Sequence, residues 1–172
     1  MATACAPDLQ RRALLRGRFD GATPVRPPWA LGEPGFLETC TGCDACLPAC
    51  PEEVLVRGDG GYPVFDPHAG ECTFCAACVD ACEPAALRLE AGAAPWSVRA
   101  APGDACLSRH GVACQVCEDA CPERAIRLPP VLGGARTPRV DPLACTGCGA
   151  CVAPCPVDAI ALLTSNPEVA GG

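Results

Sequence analysis

Short apolar segments recur at four places along this chain: Val54-Leu55-Val56, Ala86-Leu87-Arg88-Leu89, Ala125-Ile126-Arg127-Leu128 and Ala159-Ile160-Ala161-Leu162. In the second and third, alternation puts Leu87 with Leu89, and Ile126 with Leu128, on one face with arginine on the other. That is the pattern of a half-buried strand. Two glycine-centred stretches follow the first and third segments: Arg57-Gly58-Asp59-Gly60-Gly61-Tyr62-Pro63-Val64-Phe65-Asp66-Pro67, and Leu132-Gly133-Gly134-Ala135-Arg136-Thr137-Pro138-Arg139-Val140-Asp141-Pro142. Each returns into a strand that ends in Asp-Pro, so each predicts a β-hairpin. From residue 36 the chain therefore reads as two related halves. The stretch 83–105 lacks the Gly-Gly turn and the Asp-Pro ending, and Ala91–Pro95 reads as a linker between them.

The first 35 residues differ in character. Leu9, Ala13 and Leu14 recur at helical spacing among Arg11, Arg12, Arg16 and Arg18, which predicts a short basic helix around 8–16, ended by Gly17. Pro24, Pro27 and Pro28 then enforce an extended stretch up to Trp29. The fold class that follows is α+β: two tandem modules with an N-terminal arm. The expected divisions are a basic arm over 1–35, modules over 36–92 and 98–165, and a tail over 166–172.

Composition makes these modules hard to stabilise by packing alone. The chain of 172 residues has seven aromatic side chains, against 20 Pro and 18 Gly. A core built from so few large side chains is marginal. The formal charge is −7, and all 13 basic residues are arginine. Such an acidic chain has no general affinity for nucleic acid. No stretch approaches 18 apolar residues, so no membrane span is expected. Arg11-Arg12 invites a twin-arginine export reading, but the residues after it are too short and polar for the apolar part of a signal.

Cysteine supplies what packing lacks. Sixteen of the 17 cysteines fall into four runs. Three have the spacing C-x2-C-x2-C-x3-C: Cys40, Cys43, Cys46, Cys50; Cys72, Cys75, Cys78, Cys82; and Cys145, Cys148, Cys151, Cys155. Pro51 and Pro156 follow directly, and Pro84 comes one place later. The other run has Cys106, a gap of seven residues, then Cys114, Cys117, Cys121 and Pro122. The regular runs have the ligation pattern of [4Fe–4S] cubanes; the third run departs from it at its front end, which leaves a different or incompletely occupied site open there. Two intervening residues let the chain curl around a cluster, and small ones let backbone N–H groups approach its sulfurs. After the x3 gap, proline is expected to start a short helical turn.

In paired clusters the fourth cysteine of one run serves the other cluster. The spacing thus predicts four [4Fe–4S] clusters, with ligands crossed within each half, so that the two tandem α+β modules are expected to be bacterial 2[4Fe-4S] ferredoxin-like modules. Cys40, Cys43, Cys46 and Cys82 would hold cluster 1, and Cys72, Cys75, Cys78 and Cys50 cluster 2. Cys106, Cys114, Cys117 and Cys155 would hold cluster 3, and Cys145, Cys148, Cys151 and Cys121 cluster 4. Four thiolates on a +2 core add −2 per cluster, for a total near roughly −15. Cys5 is left over as an ordinary free thiol.

Other chemistries fit less well. Zinc sites use separated cysteine pairs or histidine around one tetrahedral ion, not four cysteines in a single short run. A disulfide scaffold needs an oxidising compartment and usually an even cysteine count. His110 lies in the gap of the third run and is an alternative ligand there; a solvated loop histidine is the plainer reading. His68 and His110 have no nucleophile or carboxylate constellation, and no glycine-rich motif suits a nucleotide or flavin, so no enzyme is expected.

The arm, Arg11-Arg12-Ala13-Leu14-Leu15-Arg16-Gly17-Arg18 followed by Arg26-Pro27-Pro28-Trp29, resembles the start of the NapF family, ferredoxin-type accessory proteins of periplasmic nitrate reductase systems. The resemblance continues through Cys43-Asp44-Ala45-Cys46, Gly60-Gly61-Tyr62-Pro63, Gly103-Asp104-Ala105-Cys106-Leu107 and Cys145-Thr146-Gly147-Cys148-Gly149-Ala150-Cys151. It implies a cytoplasmic protein that contacts the catalytic subunit of periplasmic nitrate reductase before export and helps install its iron–sulfur cluster. Arg11, Arg12, Arg16, Arg18 and Trp29 are the expected partner-binding residues. The alternatives are a plain electron-transfer polyferredoxin feeding a reductase, and an interaction module that its clusters merely staple together.

Overall fold

A computed structural model describes residues 24–132 and 135–164. The basic helix expected around 8–16, Cys5, Arg11, Arg12, Arg16, Arg18, the Gly133-Gly134 turn and the tail lie outside those residues.

The first half begins earlier than its cysteines. Helix α1 (Glu33–Thr39) has a proline in its first turn and an acidic residue at its start, both favourable there. It ends where Cys40 turns extended and donates its amide to the Phe36 carbonyl, 2.8 Å away. Phe36 is fully buried on the inner face of this helix. Helix α2 (Cys46–Ala49) leads into strand β1 (Leu55–Arg57), which pairs antiparallel with β2 (Pro63–Phe65) in the register Leu55↔Phe65. The predicted hairpin is therefore present. Its turn needs glycine because Gly60 and Gly61 have φ of 78° and 84°. Helix α3 (Ala77–Asp80) completes this half.

Residues 24–35, read from the sequence as part of an arm, are built into this half. Pro27 and Pro28 are fully buried. Ala30 bridges Leu87 in antiparallel fashion, with Leu31 N–H donating to Ala86 O at 3.0 Å and Arg88 N–H to Trp29 O at 2.9 Å. The Arg26 guanidinium forms a fork on Glu33, at 3.0 and 2.7 Å, and stacks over the rings of Phe36 and Tyr62. Such a planar pairing suits arginine and not lysine.

Two expectations from alternation had different outcomes. Ile126 and Leu128 are both buried. Leu87 is buried, but Leu89 is 57% exposed. The pairing with Trp29–Leu31 ends at Arg88, and the chain turns away at Glu90–Ala93, so nothing covers Leu89.

In the second half, β3 (Val98–Pro102) pairs antiparallel with β6 (Ile160–Thr164), from Val98↔Thr164 to Pro102↔Ile160. Helix α4 (Val116–Asp119) precedes β4 (Ile126–Arg127), which pairs with β5 (Arg139–Val140) as the second predicted hairpin. Strand β3 was not anticipated, since Ala100-Ala101 carries weak β propensity; β6 recruits it. Both halves thus share one rule. The segment before the first cysteine run of each half pairs with the segment after its second.

Two small cores result, one around Phe36, Val54, Phe65 and Leu87, the other around Ile126, Val152 and Ile160. Leu162 packs against both. Among the described residues no helix is long and apolar enough to cross a membrane.

Candidate metal centres

The cysteine runs share a backbone device. In each regular run, the residues on both sides of the second cysteine are left-handed: Gly42 and Asp44, Phe74 and Ala76, Gly147 and Gly149. Two such residues in close succession bend the chain tightly around one point, so the cysteines face a common centre. Asp44, Phe74 and Ala76 adopt this conformation despite a Cβ that disfavours it.

A second device follows the fourth cysteine of every run. The residue three places on, Glu53, Ala85, Arg124 or Asp158, is also left-handed. Its amide closes a turn onto the cysteine carbonyl at 3.0 to 3.3 Å. Proline was expected to start a helical turn here. Instead the short helices α2, α3 and α4 lie between the third and fourth cysteines, and proline opens a tight turn after them. In two runs the next amide reaches the sulfur itself: Ala125 N–H donates to Cys121 Sγ, and Ala159 N–H to Cys155 Sγ, each at 3.2 Å.

Four cavities of similar size form around the cysteines. Cys40, Cys43, Cys46 and Cys82 line one, and Cys50, Cys72, Cys75 and Cys78 another. Cys106, Cys114, Cys117 and Cys155 line a third, and Cys121, Cys145, Cys148 and Cys151 a fourth. We call these sites 1, 2, 3 and 4. Each brings together one of the quartets expected from crossed spacing, with three cysteines from one run and the fourth from its neighbour. The crossing arises because each third and fourth cysteine sit at opposite ends of one short helical or turn segment.

Burial governs the chemistry of these thiols. It pushes Cys46, Cys72 and Cys117 up to about 11, and Cys78 and Cys151 to about 12, with neighbouring cysteines adding to the shift in every case. Cys43 is fully exposed and runs the other way, lowered by the Ala45 amide and the Thr41 hydroxyl. Clustered, buried sulfurs hold their protons unless a cationic core compensates them, and binding such a core releases protons. Apolar walls, four sulfur ligands and inward amides are the donor set and surroundings that a cubane requires.

The irregular run forms its site by a detour. After Cys106 the chain makes a 3-10 turn over Leu107–His110, and Gly111, at φ 79°, sends it back. The buried Ser108 hydroxyl donates to the Cys114 carbonyl, fixing the return. His110 Nε2 lies 2.8 Å from the Asp104 carbonyl oxygen, engaged by backbone and away from the cavity wall.

Sequence reasoning missed the aromatic side chains that surround site 2. Trp29, Phe74, Trp96 and Phe65 form a continuous chain of ring contacts, with neighbouring centroids 5.1 to 6.4 Å apart. Trp29 and Phe74 line the site 2 cavity. Trp29, expected among the partner-binding residues, thus packs against the protein's own site, with a left-handed backbone whose amide bonds to Pro95 O at 2.6 Å. The only available signal was the scarcity of aromatics, which makes each one's position count.

Comparison with known proteins bears on these sites. Residues 39–87 and 112–159 each match the 4Fe-4S dicluster domain family. The chain is 44% identical over 154 residues to the ferredoxin-type protein NapF of Escherichia coli (strain K12), covering 89% of this chain and 93% of that one. It is 41% identical over 166 residues to NapF of Haemophilus influenzae, covering 90% and 94%. The methylamine utilization ferredoxin-type protein MauM of Paracoccus denitrificans is 33% identical over 175 residues, covering 88% and 76%.

Proposed function

Because this chain belongs to the NapF family of ferredoxin-type proteins, we propose that it is a non-enzymatic, cytoplasmic iron–sulfur accessory protein. It carries four [4Fe–4S] clusters and acts in maturation of the catalytic subunit of periplasmic nitrate reductase before export. The observation that carries the cofactor reading is the convergence of four cysteine quartets on four cavities of like size. The tandem dicluster matches support it, and family membership supports the maturation role.

When bound, the clusters supply one-electron chemistry, or the iron and sulfide to be donated. The chain's own residues do the rest. Cys40, Cys43, Cys46 and Cys82 hold the group at site 1, and Cys50, Cys72, Cys75 and Cys78 that at site 2. Cys106, Cys114, Cys117 and Cys155 serve site 3, and Cys121, Cys145, Cys148 and Cys151 site 4. The Ala125 and Ala159 amides stabilise thiolate charge on Cys121 and Cys155. Phe36, Phe74, Ile126 and Ile160 form parts of the apolar walls that limit water at the four sites. The two halves are ferredoxin-like modules, and Arg11, Arg12, Arg16 and Arg18 form the contact with the reductase subunit.

A capture experiment from nitrate-grown cells tests this. The tagged protein should retain catalytic subunit that still bears its export signal and is short of iron. Recovery of only mature, fully loaded enzyme would overturn the maturation role and favour a plain electron carrier.

A further inference from the structure

Two tandem domains joined by a linker need not touch, and relative motion is the default where their interface is small and polar. Here the halves are fastened next to their metal sites. The amide of Cys72, a site 2 residue, donates to the carbonyl of Cys148, a site 4 residue, at 2.8 Å. The Trp96 indole N–H donates to the carbonyl of Thr146, two residues before Cys148, also at 2.8 Å. Phe65 and Phe74 pack against Trp96 at 5.1 and 5.6 Å between centroids.

The glycines beside Cys148 show how close this approach is. Both Gly147 and Gly149 are buried. A Cβ on Gly149 would lie 2.9 Å from Phe65 Cζ, in the other half. One on Gly147 would lie 2.3 Å from the Val98 carbonyl oxygen. The loop around Cys148 is therefore seated without room for a methyl group.

We propose that the protein is a single four-site electron relay in the order site 1, site 2, site 4, site 3, with the crossing between halves at Cys72 and Cys148. Occupancy of the sites by clusters is taken from the proposed function. Within each half, short segments tie the two sites together covalently: helical ones from Cys46 to Cys50, Cys78 to Cys82 and Cys117 to Cys121, and a turn from Cys151 to Cys155. Between halves, the path runs through two cysteine side chains and one hydrogen bond. Among the described residues, no cysteine of site 1 or site 3 makes a backbone hydrogen bond across the seam. Sites 1 and 3 are thus the terminal stations, facing different partners.

Clusters held by these cysteines would supply the chemistry, each taking up and passing on one electron. No bond forms or breaks, and no proton moves. A low-potential one-electron donor protein at one end and a one-electron acceptor at the other close the balance.

The test uses the full chain, loaded anaerobically and reduced with dithionite. The wild-type electron paramagnetic resonance spectrum should show spin coupling that joins all four sites. In Trp96→Phe, which keeps the ring and loses the N–H to Thr146, the coupling between the halves should weaken toward the sum of two independent pairs, with iron unchanged at about sixteen atoms per chain. Hydrogen exchange in a peptide containing the Cys72 amide should quicken at least about tenfold in that variant. Phe65→Leu, which removes the ring that meets Trp96 and Gly149 across the seam, should move both readouts the same way.

Unchanged coupling in a variant whose Cys72 amide exchanges fast would overturn the relay. So would a fully loaded wild-type chain lacking coupling between halves, and that result leaves the maturation role standing. Coupling through all four sites without capture of the reductase subunit supports the relay and removes the maturation role.

Discussion

The indole nitrogen of Trp96 donates a hydrogen bond to the carbonyl oxygen of Thr146, 50 residues away in sequence and 2.8 Å away in space. It ties the segment between the halves to the loop that presents Cys148. Trp96→Phe should lower unfolding stability by about 1 kcal/mol, the usual net value of one hydrogen bond. Trp96→Ala should cost about 3 kcal/mol, because it also removes ring contacts with Phe65 and Phe74. Denaturant unfolding of the loaded protein, followed by cluster absorbance, measures both.

The proposed crossed ligation makes distant cysteines spectroscopic partners. Cys106→Ser and Cys155→Ser lie in different runs but line the same cavity. We expect them to perturb one and the same cluster signal, and Cys121→Ser and Cys145→Ser a different one. Paired spectra that instead sort by run would contradict the crossing.

Truncation should divide at residue 24. Removing residues 1–23 should leave iron content unchanged while abolishing capture of the reductase subunit. Removing 1–35 also deletes buried Pro27 and Pro28, the Ala30 bridge to Leu87 and the start of α1. Iron analysis should then show loss of about eight atoms per chain, those of sites 1 and 2.

Glycines with similar backbone angles should differ sharply in tolerance. Gly92 has φ 79° and open space around its Cβ position, so Gly92→Ala should cost about 1 kcal/mol from backbone strain alone. Gly147 has φ 76°, and an added Cβ would meet the Val98 carbonyl. Gly147→Ala should therefore displace the Cys148 loop and lose about four irons, those of site 4. Iron content alongside thermal unfolding separates the two effects.

Complete removal of iron should unfold most of the chain. Helices α2, α3 and α4 have four residues each, below what forms unaided in water. Each contains one cysteine, Cys46, Cys78 or Cys117, that the proposed clusters would hold in place. Far-ultraviolet circular dichroism of chelated protein should show loss of both helix and strand signal, regained on anaerobic reconstitution.

Much of the candidate chemistry was legible along the chain. The spacing of the runs is local covalent geometry, and it carries enough information to assign each cysteine to a quartet. The same applies to both hairpins, because Gly60-Gly61 demands a turn that other residues resist. Strand β3 was hidden, since its Ala-Ala and Pro have little preference for a strand and take it up only against β6. The role of residues 24–35 was hidden for a similar reason. Extended, proline-rich chain looks the same whether it hangs free or fills an edge.

The sequence by itself determined how the cysteines group into candidate ligand sets, because their spacing is written into consecutive residues. Only the tertiary structure decided that the second and fourth sites meet. That contact depends on Trp96, Phe65 and the room left by Gly147 and Gly149, and packing between distant segments has no period in sequence from which to read it.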